Sequence, residues 1–197
     1  MPPLLYYYQG VNKNMKDKLV LTNEVVHLRP VLPADAELIY EAVRESIEEI
    51  SPWMFWCHPD YSLAESKTWA DGRPEAWDKG DGYDFVIEDA TGGPPLGVCG
   101  LNHLNAIERV ANLGYWIRTS RTRQGIVSAA VPLVARFGFE ELKLNRIEIV
   151  VATGNHKSQN VAERVGAARE GVLRRRLMVR ETIYDAVMFS LVPADFD

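Results

Sequence analysis

Cysteine is nearly absent from this chain: two residues, Cys57 and Cys99, in 197. They lie far apart and form neither a CxxC pair nor a Cys/His spacing suited to a metal, so a disulfide scaffold and a zinc module are both excluded as organising principles. Histidine is sparse as well, with four residues. No apolar run approaches the length needed to span a bilayer, and the opening Met1-Pro2-Pro3-Leu4-Leu5 lacks the basic-then-apolar order of a signal peptide. Excess positive charge is missing too: the formal net charge is −5, which argues against a nucleic-acid partner. Repeats and low-complexity tracts are not found either. What remains is a 47% hydrophobic, 25% charged chain of one-domain length, expected to work in the cytoplasm without a metal and without a membrane.

Periodicity orders the rest. Met1 to Lys18 has no sustained period and is expected to be an N-terminal extension, either a surface tail or a segment packed on a neighbour in a homodimer. Residues 19–197 are read as one domain. Leu19–Leu21 and Val25–Pro30 make a short hairpin turning at Thr22-Asn23-Glu24. Pro33 opens an amphipathic helix carrying Leu38, Ile39, Ala42, Val43 and Ile47 on one face, ending near Ile50. Ser51 to Pro59 is an aromatic loop with Trp53, Phe55 and Trp56, which either lines an apolar pocket or caps the core edge. Ser62 and Glu65 have capping-box spacing, and Gly72 and Pro74 are expected to break or kink the helix they open.

From Tyr83 the period changes to two. Tyr83–Glu88, Leu96–Leu104 and Val110–Ile117 read as an antiparallel meander. A long helix follows from Gly125 to Leu142 with Pro132 inside it, then a buried strand over Ile147–Ala152. Lys157–Val165 is a helix stopped by Gly166, and Arg169–Val179 with Ile183–Leu191 closes the chain as a hairpin. The order predicts a mixed α/β (α+β) fold around a central sheet. At its centre, Gly114-Tyr115-Trp116-Ile117 leads through a tight loop into Gln124-Gly125-Ile126. Such a strand–loop–helix junction aims backbone N–H groups and a helix dipole at one point, where an anionic phosphate can sit.

Those residues, with Phe137–Ile147, Gly154–Ala167, Glu170–Arg174 and Tyr184–Phe189, resemble the GCN5-related N-acetyltransferases (GNAT family). The ending, and Val26–Pro30 followed by Pro33–Ala36, are similar to the branch that acetylates ribosomal-protein N-termini, the RimJ/RimL type. The resemblance spans about Leu19 to Val192. It implies a GNAT fold, with a twisted, mostly antiparallel sheet of about seven strands flanked by four or so helices. It also implies acetyl-CoA as co-substrate and a primary amine as acceptor, by resemblance a protein N-terminus; a polyamine or aminoglycoside-like amine stays open, as does a non-catalytic acyl-CoA sensor.

The family's acyl-CoA loop reads Gln/Arg-x-x-Gly-x-Gly/Ala; here Thr122-Arg123-Gln124-Gly125-Ile126-Val127 stands in its place, and Gly125 alone keeps its type. The resemblance therefore assigns cofactor contacts to Trp116, Ile117, Arg123, Gln124, Gly125 and Ile126, with Arg123 offsetting a lost backbone contact through a charge-assisted bond. It assigns Asn155 to the pantetheine arm and Ser158 to the cofactor sulfur, where a hydroxyl can serve as general acid; both residues also suit a helix cap. A backbone N–H near Trp116 or Ile117 is the implied oxyanion donor. His103, by its titration range, is a candidate base, and Glu148 is a further carboxylate that either serves the amine or faces solvent. The branch's glutamate on the penultimate strand aligns with Leu177, so the base is not identified from the sequence. Arg174-Arg175-Arg176 reads as a solvated strand edge or as a site for an acidic group.

Overall fold

The computed structural model describes residues 19–196, and the expected extension lies outside them. Among the described residues eight strands form one sheet: β1 (Leu21–Thr22), β2 (Val26–Pro30), β3 (Tyr83–Asp89), β4 (Gly97–Asn105), β5 (Val110–Ile117), β6 (Arg146–Ala152), β7 (Ala168–Val179) and β8 (Thr182–Leu191). Their spatial order is β1-β2-β3-β4-β5-β6-β8-β7. The expected N-terminal hairpin is present, with the two-residue β1 paired with β2 (Leu21 opposite Leu28), and brings the count to eight against the about seven that the resemblance implies. The meander and the closing hairpin are antiparallel, as the period-two runs and their short turns require.

Among the described residues five α-helices accompany the sheet: α1 (Ala36–Ile50), α2 (Leu63–Asp71), α3 (Arg73–Lys79), α4 (Ile126–Glu140) and α5 (His156–Arg164). The capping box is formed: the Glu65 N–H donates to Ser62 Oγ at 3.3 Å, and the Ser62 N–H donates to Glu65 Oε2 at 2.9 Å. Gly72 ends α2, and Pro74 sits in the first turn of α3, so the break occurs where both residues predicted it.

Alternation along the strands sends side chains into two cores. Phe85, Ile87, Leu101, Leu113, Ile147, Ile149 and Phe189 pack with Val131, Val134 and Phe137 of α4. On the opposite face Val86, Val98 and Trp116 pack with Ile39, Ala42 and Val43 of α1. Each fully buried Val, Leu, Ile or Phe contributes about 1.5–3 kcal/mol, so these two layers hold the sheet from both sides. α4 lies close because Gly138 has no side chain: a Cβ there would fall about 3.0–3.1 Å from methyl carbons of Ile147, Leu101 and Leu144.

One pairing differs from the rest. β5 and β6 are parallel, and they pair only at Val110–Arg146, Ala111–Ile147 and Asn112–Glu148. Beyond that point β5 stays with β4 as far as Ile117, and β6 stays with β8 as far as Ala152. The sheet is therefore split between the second half of β5 and the second half of β6.

Candidate active site

The split opens into a cleft of about 900 Å³ lined by Tyr115, Trp116 and Ile117 on one side and Gly154, Asn155 and Ser158 on the other. Its floor carries the loop from Arg121 to Ser128. Backbone polarity follows from the ladder. The Arg118 N–H donates to the Leu96 carbonyl at 2.7 Å, toward β4. With a period of two, the Trp116 N–H faces β4 as well, while those of Tyr115 and Ile117 face the split. Of the two oxyanion donors the sequence offered, Ile117 has the suitable direction. The Trp116 side chain points to the α1 face, 9% exposed, with its ring centroid 6.0 Å from that of Trp56.

Gly125 stands at the N-cap of α4 with φ 77° and ψ 0°, a left-handed conformation that costs an L-residue about 1–2 kcal/mol. No side chain caps this helix. The first intrahelical bond runs from the Ala129 N–H to the Gly125 carbonyl at 2.9 Å, so the N–H groups of Ile126, Val127 and Ser128 precede it and face the cleft mouth. Arg123 is also left-handed, at φ 64°. Arg123 and Gln124 are exposed, and the Gln124 amide donates back to the Ser120 carbonyl at 3.3 Å. The Ile126 side chain is buried in the α4 core, so what it can offer a ligand is its backbone.

Cations outnumber carboxylates along this lining: Arg121, Arg123, Lys157 and Arg164 against Glu48 and Glu49. Glu49 is already paired with Lys157 at 2.6 Å, and Arg121 with Asp89 at 2.8 Å. Uncapped N–H groups at the end of a 15-residue helix, a glycine at the turn and surrounding guanidinium groups make a donor set suited to a pyrophosphate. Arg121 was not among the residues singled out from the sequence; only its place in the loop brings it to the lining.

Asn155 and Ser158 meet at the start of α5, where Asn155 Oδ1 accepts the Ser158 N–H at 3.2 Å. Asn155 thus fills the capping role, whereas the Ser158 side chain does not cap and turns into the cleft. There Ser158 Oγ lies 2.9 Å from the Tyr115 hydroxyl, which also donates to the Ser158 carbonyl at 3.1 Å. Burial pushes the Tyr115 phenol well above its ordinary value, so it holds its proton at every working pH. Sequence reading missed this residue as a site member.

His103 is placed elsewhere. It sits at φ 50° in a register shift of β4 and lines a second groove with Asn105, Asn112, Glu148 and Arg176. Nothing in that lining is shared with the cleft around Ser158. Glu148 also lies in the second groove and is paired with Arg146 at 3.0 Å. Both cysteines are free and buried, and burial pushes the Cys57 thiol up to about 11 and Cys99 higher still. Neither lines the cleft, so no thiol nucleophile is available there. Among the described residues no cluster of His, Cys, Asp or Glu is arranged to hold a metal, and no helix is long and apolar enough to cross a membrane.

Comparison with known proteins follows the same lines. The family described as "Acetyltransferase (GNAT) domain" matches residues 26–168. A Bacillus subtilis (strain 168) protein named for ribosomal N-acetyltransferase activity, YdaF, is 32% identical over 177 residues, 89% of this chain and 95% of its own. The ribosomal-protein-serine acetyltransferase of Escherichia coli (strain K12) is 22% identical over 175 residues, 88% of this chain and 96% of its own. Among solved structures, Mycobacterium smegmatis RimJ in complex with CoA-disulfide superposes with a TM-score of 0.78 at 27% identity, covering 89% of this chain and 85% of that one.

Proposed function

This chain belongs to the GNAT family of N-acetyltransferases, and from that premise we propose that it moves an acetyl group from acetyl-CoA to a protein N-terminal α-amine by direct attack in a ternary complex. The observation that carries this reading is the split between β5 and β6, which brings an uncapped helix N-terminus, an inward backbone N–H at Ile117 and the Ser158 hydroxyl into one cleft. The N–H groups of Ile126 to Ser128, with Arg121 and Arg123, would bind the pyrophosphate. Asn155 would meet the pantetheine arm. The Ile117 N–H would hold the carbonyl oxygen as negative charge develops on it.

The transfer forms an N–C bond and breaks a C–S bond. Nitrogen loses one proton to water and the departing thiolate gains one. Ser158 Oγ–H supplies a hydrogen bond to the sulfur as it leaves. Tyr115 sets the direction of that bond. When the phenol donates to Ser158 Oγ, the serine's own hydrogen is released toward the cleft; when it donates to the Ser158 carbonyl, that constraint lapses. Direct attack is favoured over an acyl-enzyme because both thiols are buried and protonated.

The choice of amine follows from the lack, among the described residues, of a buried base in the cleft. The cleft's carboxylates, Glu48 and Glu49, and its one histidine, His156, are all exposed, and Glu49 is held by Lys157. An α-amine of pKa about 7.7–8.0 is already about one-tenth neutral at pH 7, whereas a lysine-type amine near 10.4 is neutral in only about one molecule in 2,500. A site without a strong base suits the former, in keeping with the ribosomal-protein names of its relatives.

The test is thiol release from acetyl-CoA across panels of N-terminal peptides, polyamines and aminoglycosides, with mass spectrometry locating the acetyl group. Acetylation of peptide α-amines is the expected result. Cofactor binding with no thiol release in any panel would overturn the enzymatic reading, and turnover confined to small amines would overturn the choice of acceptor.

A further inference from the structure

The second groove, of about 530 Å³, lies on the sheet face opposite α4 and α5. Glu148 and Val150 line it and alternate with Ile147, Ile149 and Val151, which enter the α4 core. Asn112 likewise alternates with Ala111 and Leu113. The groove therefore runs along the paired half of β5 and β6 and, on β6, reaches just past their parting at Asn112 and Glu148, to Val150. From Asn112 to Tyr115 is three strand residues, about 10 Å at about 3.3 Å each. An acceptor whose amine sits in the split, on the face the cofactor leaves free, would need about three extended residues to reach the groove.

The other end of this face is bridged by side chains. Arg180, in the turn between β7 and β8, donates to the Ser51 carbonyl at 2.9 Å and the Cys57 carbonyl at 3.2 Å. It ties the hairpin tip to the aromatic loop, and Trp53 lies 6.0 Å from Tyr184 across the same junction. At the groove's far side β7 is an exposed edge strand. A register shift between Leu173 and Leu177 sets off Arg174, Arg175 and Arg176, with Arg175 left-handed at φ 53° and its N–H held by Asp185 at 2.7 Å. All three guanidinium groups are exposed and none is in a salt bridge within the described residues, in a chain whose net charge is −5. By contrast Arg146, inside the groove, is fully used by Glu148 and Glu170.

Resting on the protein-N-terminus reading above, we infer that this groove binds the acceptor chain beyond its first two or three residues, as an extended strand whose following side chains are acidic and meet Arg174 and Arg176. Asn105, Asn112 and His103 line the track and can hydrogen-bond the acceptor's amides. The edge of β7 offers free backbone groups alongside, a surface to which an extended chain adds readily. The arginines supply attraction and selectivity rather than chemistry.

The experiment compares acetylation of peptides sharing one N-terminal residue, two to eight residues long, with acidic, neutral or basic side chains from position four onward. KM is expected to fall as length passes three residues and to be lowest for acidic peptides, with the preference weakening at high salt. Arg176→Glu should raise KM for the acidic octapeptide about tenfold while leaving kcat and the dipeptide's KM unchanged. His103→Ala should raise KM for long peptides only. Peptides acetylated with a KM independent of length, or of charge beyond position three, would overturn this inference and leave the protein-N-terminus reading standing. Acetylation of small amines but of no peptide would overturn both.

Discussion

Tyr115 and Ser158 are the pair on which the proposed chemistry turns at the scale of single residues. Tyr115→Phe keeps the ring's packing and removes the donor to Ser158, so kcat should fall about tenfold with little change in KM or melting temperature. Ser158→Ala should lower kcat as much, and the double variant should cost little more than either alone, the signature of two groups acting as one. Steady-state rates on all three proteins check this. Gly125 belongs to the same scale. Its φ is left-handed, and the space where a Cβ would stand is open. Gly125→Ala should therefore destabilise by about 1 kcal/mol through backbone strain alone, read from denaturant midpoints. Gly125→Trp should in addition block cofactor binding, measured by calorimetry. The residue signal in the sequence was uneven. A lone glycine before a helical run was legible because the turn's geometry demands it. Tyr115 was not, because it sits in a regular strand and its partner is 43 positions away.

Among the elements, α4 depends on Gly138 for its distance from the sheet. Gly138→Ala would press a methyl against Ile147, Leu101 and Leu144 and should cost about 1–3 kcal/mol in a thermal or urea unfolding curve. At the other end of the sheet, Arg146 grips Glu170 through two hydrogen bonds of 2.7 and 2.6 Å, with Ser190 donating to the same carboxylate at 2.7 Å. The Arg146 guanidinium first, then the Ser190 hydroxyl, holds the Glu170 carboxyl down at about 2. Its contribution to stability is therefore complete above the ordinary value of 4.5 and is lost as pH falls from there toward about 2. Because Glu170 is largely exposed, the effect is small. Glu170→Gln should flatten part of the fall in melting temperature across that window. Strand and helix positions were legible because the periods of two and 3.6 are written in local sequence. The parting of β5 from β6 was not, since a broken register is a relation between strands 36 residues apart (Asn112 and Glu148) that neither strand encodes by itself.

At the scale of the whole molecule, the proposed function divides the work between the two sheet faces: one would seat the anionic donor against α4 and α5, and the other would leave a track for the acceptor. The pH profile reflects that division. With only exposed bases in the cleft (Glu48, Glu49 and His156), kcat/KM for a peptide should climb about tenfold per pH unit below about 8 and level off above it, following the amine's own titration rather than an enzyme group's. The identity of the peptide's first residue should shift that midpoint with its α-amine pKa, whereas His103→Ala should not. Such a split of function between faces could not be read from the chain's order, which placed His103 beside the reaction because it ends a strand in the meander. The strand's local shift in register turns it into the second groove instead.

The central claim, that the donor seats in the split sheet with its phosphates on the start of α4, is tested most directly by following backbone amide resonances of the labelled protein as coenzyme A is added. The largest shifts are expected at Ile126, Val127 and Ser128, with Ile117 and Asn155 moving in step and saturating at the same concentration. Shifts confined to the groove of His103, Asn112 and Glu148, with the amides at the start of α4 unmoved, would contradict it.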